Sequence, residues 1–333
     1  MDLTPRRLGR SDVRVPAVGL GTAPLGGMYA HVAEEQALDV VRAALEAGAT
    51  YLDTAPQYGH GTAERRLGAA LATLGAAGRP GLVVSTKVGR LVVPRPDGKD
   101  GGTDDGTDGG AQGIFADAPP SDVVFDFSPA GVERSLAESL ERLGVDRVDV
   151  VYVHDPDEHA DEVLARTFPV LRRWRDEGVV GAIGVGMNQS AVPARFVREA
   201  DLDVVLLAGR WSVLDRSGGA DLMPLALERG VSVVVGGVFN SGLLADPRPG
   251  ARFDYGIAPD HLVARAQALG AACARYAVPL KAAALQFPFR HPAVASVLTG
   301  ARSRAELEEN LALLDVEVPE ALWAELDAIA TAP

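Results

Sequence analysis

The chain has little of what several function classes require. It carries one cysteine, Cys273, in 333 residues, so no intrachain disulfide can form. Cys273 lies among Ala271, Ala272 and Ala274 in a helical run, which reads as a buried structural thiol rather than a nucleophile. Basic residues are outnumbered: 32 Lys and Arg against 45 Asp and Glu leave a net charge of −13. That balance argues against nucleic acid and anionic membranes as partners, whereas a dinucleotide needs only a local positive patch. No window reaches about 18 uninterrupted apolar residues, the length of a membrane span. Residues 1–14 lack the apolar core of a signal peptide, so the expected setting is a reducing cytoplasm. His31, His60 and His159 show no zinc-like spacing with acids or cysteine. They read as solvent-facing or substrate-rim groups, and no metal site is expected.

What is present is an alternation of short β-rich runs with amphipathic helical stretches. Strands are expected at 18–22, 50–53, 82–87, 148–154, 180–185, 204–207, 231–236 and 296–299. Helical patterns lie at 34–47, 62–74, 129–143, 161–176, 191–199, 221–228, 259–276 with an added 281–289, and 303–314. The length admits one barrel or two smaller domains, but no composition shift marks a boundary. Eight βα units with right-handed crossovers read as one α/β domain over 1–333, a (β/α)8 TIM barrel. A hairpin is expected within 6–18 and a further C-terminal helix at 319–330.

An insertion at 91–127 interrupts the pattern after the third strand. Its Gly- and Asp-rich part, 97–113, cannot bury a core and is expected to be mobile. Loops there project from the face where barrels do chemistry, so the flanking 118–127 is placed near the site. The repeated Asp and Gly resemble a calcium loop only superficially, because no Glu follows at the spacing of a bidentate ligand.

Three of the expected strands end in a polar residue: Asp53, Lys87 and His154. Unpaired charge at the end of a buried strand is costly. Parallel neighbours lie about 4.8 Å apart, so these groups can pair with one another. Tyr58 follows on the loop after Asp53. Taken singly, Tyr58 reads as a packing residue, Lys87 as a solvated strand end, Asp53 as a helix cap and His154 as a core histidine. Together they read as a site in which an ammonium held by a carboxylate lowers the pKa of a phenol. A His beside them can donate to a carbonyl or alkoxide oxygen. The expected chemistry is proton transfer at oxygen while hydride moves at carbon.

Gly19-Leu20-Gly21 lacks the third glycine of a dinucleotide fingerprint and reads as a tight turn. The stronger anion candidates are late: Phe239, Asn240, Ser241, Gly242 and Leu243 after the seventh strand, and Gly300, Ala301, Arg302 and Ser303 after the eighth. Helix capping is the other role open to Ser303.

The run from Ala47 to Gly59, with Asp53 and Tyr58 inside it, resembles the most specific motif of the aldo-keto reductases. The resemblance continues through Ser85-Thr86-Lys87, Val153-His154, Ile183-Gly184-Val185 and Gly300-Ala301-Arg302-Ser303 to Glu309-Asn310, nearly the whole chain. Phe125-Asp126-Phe127-Ser128, Gly184 to Asn188 and Phe239 to Leu244 are most similar to the sugar-oxidising branch. That branch holds D-threo-aldose (L-fucose) 1-dehydrogenases, L-galactose dehydrogenases and a pyridoxal dehydrogenase.

The resemblance implies a catalytic tetrad of Asp53, Tyr58, Lys87 and His154, an N-terminal hairpin capping the barrel, and NAD or NADP as cofactor. It places Gly21 and Thr22 beside the nicotinamide, Asp53 among the cofactor contacts, Asn188 on the carboxamide, and Glu309 and Asn310 on adenine. Trp211 is either a shelf under the nicotinamide or a packing residue. Gly300 and Glu306 stand where NADP-strict members carry Lys and Arg, which favours NAD unless Arg302 or Arg304 compensates. The implied activity is oxidation of an aldose at C1 to its lactone, with pyridoxal oxidation and general aldehyde or ketone reduction as alternatives. A nucleotide-sensing channel accessory barrel and a Schiff-base lyase using Lys87 are the rival readings. Expected partners are a small sugar or aldehyde, no nucleic acid and no membrane, in a monomer or weak homo-oligomer.

Overall fold

The computed structural model describes residues 4–95 and 112–331. Eight parallel strands close into a barrel: β1 (Val18–Gly21), β2 (Tyr51–Asp53), β3 (Val83–Val88), β4 (Val150–His154), β5 (Ala182–Met187), β6 (Val204–Ala208), β7 (Ser232–Gly236) and β8 (Val294–Thr299). β8 returns to β1 with Val297 opposite Val18, which closes the ring. β3 to β5 are buried at every position because helices cover one side and the barrel interior fills the other.

Each strand sends the chain back through a helix on the outside, beginning with α1 (Glu34–Glu46), α2 (Thr62–Thr73) and α3 (Pro129–Leu143). The start of α3 is written locally. The Ser128 side chain accepts from the Gly131 N–H at 3.0 Å, and Pro129 supplies a first-turn residue that needs no partner. It ends at Gly144, whose φ of +62° is left-handed. Later come α4 (Phe168–Asp176), α5 (Ala191–Glu199), α6 (Leu222–Arg229), α7 (Asp260–Arg275), α8 (Leu280–Gln286), α9 (Arg304–Ala312) and α10 (Glu320–Thr331).

The hairpin of Arg6–Arg7 and Arg14–Val15 plugs the N-terminal mouth. Leu8 and Val15 are fully buried against Tyr51, Val150 and Val204 inside the barrel, and the Gly9 N–H donates to Ser232 Oγ at 2.8 Å.

The insertion differs from the expected loop. Arg90–Pro94 pairs antiparallel with Ser121–Phe125, forming a two-stranded arm. Its partners are far apart in sequence, so neither run announces the other. Beyond the arm, Met28 bridges Phe115 and the Ala116 N–H donates to Gly27 O at 2.9 Å, stitching the insertion to the loop after β1. Asp117 anchors it: one carboxylate oxygen accepts from Arg66 Nη1 at 2.8 Å and from the Val32 N–H at 3.1 Å. The mobility expected of 97–113 falls, apart from Gln112 and Gly113, outside the described residues.

Candidate active site

Asp53, Lys87 and His154 end at the same mouth of the barrel, and Tyr58 comes over them from the loop after β2. The Lys87 ammonium donates to Asp53 Oδ2 at 2.7 Å and to Thr54 O at 2.9 Å. Lys87 is 1% exposed and Asp53 2%. Such a pair is tolerable only because each charge is met by the other and by further hydrogen bonds. The second oxygen of Asp53 accepts from Ser85 Oγ at 2.6 Å, and Ser85 continues through Tyr51 to Tyr152, whose hydroxyls are 2.8 Å apart. A polar chain inside the barrel therefore fixes the carboxylate from below. Lys87 Nζ lies 4.6 Å from the centre of the Tyr58 ring, and Tyr58 meets His154 edge-on at 5.9 Å between ring centres.

The electrostatics depart from the expectation. Burial, then the Asp53 and Asp155 carboxylates, push the Tyr58 phenol well above its usual pKa, and the cation that opposes this is Arg90. The Lys87 charge is already met by Asp53, so the phenol is not tuned downward as expected. Burial, then the charges of Arg90 and Lys87, hold His154 well below its usual pKa. A neutral imidazole donates from one nitrogen only. Among the described residues, His154 Nδ1 is buried without a hydrogen-bond partner, whereas Nε2 lies 3.5 Å from Asp155 Oδ2. The carboxylate favours the proton on Nε2, which faces the cavity.

That cavity has a volume of about 500 Å³. Tyr58, Lys87 and His154 line it together with the polar Arg90, Asp155, Asp157, Glu158 and His159 and the apolar Met28, Ile114, Phe115, Phe125 and Leu206. The insertion thus does reach the site, through Phe115 and Phe125. Arg90 and Asp155 were not singled out in the sequence, although Asp155 directly follows His154 and Arg90 closely follows Lys87. Tyr255 was also missed. It sits with Asp254 at the turn of a small hairpin, Arg252–Phe253 and Gly256–Ile257, with φ of +66° and +48°. The hairpin is held by Arg210 to Asp254 at 2.5 Å and by Arg252 stacked over Tyr29 at 4.8 Å.

A second cavity of about 220 Å³ adjoins the first and shares Met28, Tyr58, Asn188, Leu206, Ala208 and Tyr255 with it. Gly21, Asp53, Asn240, Ser241 and Gly300 line it. Its floor suits a flat ring. A Cβ on Gly21 or Gly236 would meet no heavy atom nearer than 3.8 or 3.6 Å, so any side chain there would fill the space instead. The nicotinamide half of a dinucleotide fits this cradle, with Asn188 at the border of the two cavities.

Thr22, Trp211, Phe239, Gly242, Leu243, Ala301, Arg302, Glu309 and Asn310 do not line either cavity. Trp211 is a packing residue here: its ring lies 5.2 Å from Phe287 and its N–H donates to Pro288 O at 3.2 Å. The N–H groups of Asn240, Gly242 and Leu243 close turns within their own loop, and the Asn240 side chain ties Ser212 to Gly209. Asn310 binds Thr299 and Gly300 O, and Glu309 pairs with Lys281 at 2.8 Å. Ser303 caps α9 through the Glu306 N–H, and Glu306 reaches back to the Arg302 N–H at 2.8 Å and its guanidinium at 3.4 Å. The start of α9 already holds a carboxylate. Arg304 turns away to Asp39, Glu46 and Glu308.

Among the described residues, no cluster could hold a metal and no helix is long and apolar enough to cross a membrane.

The pattern of the aldo/keto reductase family matches residues 17–331. The chain is 41% identical to a D-threo-aldose 1-dehydrogenase of a Pseudomonas species over 331 residues, covering 98% of this chain and 97% of the relative. It is 40% identical to a pyridoxal 4-dehydrogenase of Microbacterium luteolum, covering 96% of each. Its fold is that of an aldo-keto reductase of Bacillus halodurans solved in the holo form, with a TM-score of 0.75 at 24% identity, over 100% of this chain and 98% of that one.

Proposed function

The chain belongs to the aldo/keto reductase family, and from that premise we propose that it oxidises the anomeric carbon of a free aldose, of the L-fucose, D-arabinose or L-galactose type, to the lactone. It is an oxidoreductase of a family that uses a nicotinamide dinucleotide. The observation that carries the chemistry is the Lys87–Asp53 pair, 2.7 Å apart, beneath Tyr58 and beside His154. The substrate class rests on the likeness to the aldose dehydrogenase and on Asp155, Asp157 and Glu158 in the cavity lining. Carboxylates accept from sugar hydroxyls and repel phosphorylated or carboxylated compounds.

When bound, the dinucleotide supplies the acceptor for hydride. His154 Nε2–H holds the oxygen on C1 of the cyclic sugar. The Tyr58 oxygen, once deprotonated, takes the proton of that hydroxyl as the C1–H bond breaks and the C1=O bond of the lactone forms. Lys87, held by Asp53, lies against the Tyr58 ring and exchanges no proton itself. The opposite direction uses protonated Tyr58 as the acid, and the raised pKa keeps that proton on the phenol near neutrality.

The second reading, oxidation of pyridoxal as its cyclic hemiacetal, is favoured by the aromatic rings of Phe115 and Phe125 in the cavity lining and by the pyridoxal dehydrogenase relative. NAD is favoured over NADP, because Glu306 occupies the start of α9 and three carboxylates hold Arg304. The test is a panel of aldoses, pyridoxal and simple aldehydes with each dinucleotide, read by reduced-cofactor absorbance in both directions. Oxidation of an aldose with NAD is the expected result. Pyridoxal outperforming every aldose would select the second reading, and efficient aldehyde reduction without oxidation of any aldose or of pyridoxal would reject both.

A further inference from the structure

The Arg90–Asp155 pair lies outside the tetrad yet faces the same cavity. We propose that Asp155, held by Arg90, is a specificity-determining residue that binds the hydroxyl on the carbon next to the reacting carbon. The site then takes α-hydroxy carbonyl compounds and their cyclic hemiacetals in preference to analogues lacking that hydroxyl. This rests on the aldose reading above and names the group of the sugar that the site recognises.

The geometry is the first support. Asp155 has a φ of +40°, in the left-handed region, and its N–H donates to Gly186 O at 3.0 Å. Strain of this kind in a non-glycine residue persists where the surroundings impose it, and it gathers at functional sites. Here it turns the carboxylate back over the barrel mouth. Oδ2 then lies 2.9 Å from Arg90 Nη2 and 3.5 Å from His154 Nε2. A substrate oxygen accepting from Nε2 must sit beside that carboxylate. Vicinal oxygens on a sugar are about one hydrogen-bond length apart, so the neighbouring hydroxyl falls within reach of Asp155. A carboxylate can only accept and a hydroxyl can donate, so the match is of the right sign.

The second support is the asymmetry of the pair. The Arg90 side chain is 5% exposed and lies over the Phe125 ring at 4.7 Å, whereas the Asp155 side chain is 23% exposed and opens to the cavity. An ion pair serving the fold alone gains little from having one partner open to a cavity beside Tyr58 and His154. Arg90 is a positioning residue: its planar fork fixes the carboxylate in the place where it accepts the hydroxyl and offsets its charge.

The test compares D-arabinose with 2-deoxy-D-ribose, which differ only at carbon 2, in the wild type and in Asp155→Asn and Asp155→Gly. Both replacements suit a positive φ, and dinucleotide binding by fluorescence quenching reports that each variant folds. The ratio of kcat/KM for the two sugars cancels any change in the Tyr58 proton affinity. In the wild type the ratio is expected to be at least about 30, the cost of leaving a charged acceptor without its donor. In Asp155→Gly it should fall below about 5 by the same argument. A wild-type ratio near one, or an unchanged ratio in Asp155→Gly, would overturn the proposal while the aldose reading stands. A wild type that oxidises neither sugar nor any other aldose, but reduces a simple aldehyde, overturns the aldose reading and this proposal with it. Should both variants fail to fold, the wild-type comparison still decides.

Discussion

The Lys87 ammonium lies 2.7 Å from the Asp53 carboxylate, with both side chains closed to solvent. Neither charge could stay at the end of a buried strand without the other. Lys87→Met is therefore expected to cost about 3–5 kcal/mol of stability, because Asp53 is left buried and unpaired. Denaturant unfolding measures this. If Lys87→Met with Asp53→Leu is no more stable than Lys87→Met alone, the stranded carboxylate is not the cause.

Tyr58→Phe should lower kcat by roughly 10²–10⁴, the usual worth of a positioned acid or base, and leave dinucleotide binding intact. Steady-state rates and fluorescence titration measure the two separately. Retention of more than about a tenth of kcat would remove Tyr58 from its proposed role.

The pH dependence follows from the two shifted groups. Tyr58 is raised, so it is protonated through the neutral range and must lose its proton to act as a base. Oxidation should therefore accelerate with rising pH across the neutral and mildly alkaline range, while reduction stays nearly flat there. His154 is lowered, so it is neutral above its usual value of 6.5 and for some way below it. The profile should show no inflection near 6.5, and one that vanished in His154→Gln would contradict this.

A depressed His154 also bears on stability. The unfolded chain binds that proton near its ordinary pKa of 6.5 and the folded one only at lower pH, so stability falls as pH drops through that window. His154→Gln should flatten this loss, as thermal unfolding at pH 7 and pH 5 would show. An unaltered difference between the two pH values would assign it to other groups.

Glu306→Gln should improve NADP binding relative to NAD about fivefold, since it frees Arg302 and removes a like charge near a 2′-phosphate, an effect of about 1 kcal/mol at a surface. Dissociation constants for both dinucleotides at two salt concentrations test it. No change in the ratio would place the 2′-phosphate elsewhere.

The barrel and the meeting of Asp53, Tyr58, Lys87 and His154 at one mouth were legible in the chain because both follow from local statements. A run such as Val204–Ala208 is apolar on both faces, which only a strand covered on both sides can satisfy. A Lys or Asp closing such a run demands a partner at the same end of the sheet. Ser128 and Gly144 likewise bracket α3 without reference to anything distant. Other features were decided by tertiary structure alone. The arm of Arg90–Pro94 and Ser121–Phe125 exists only because two remote runs meet. Trp211 packs on Phe287 rather than reaching the cavity, a choice set by neighbours far along the chain. Glu306 fills the anion position at the start of α9, and Arg304 is drawn to carboxylates on α1. The proton affinity of Tyr58 depends on burial and on Asp155 and Arg90, which the spacing of the tetrad does not report. Periodicity and strand-end charge are properties of neighbours in sequence; desolvation, ion-pair choice and cavity shape arise from neighbours in space.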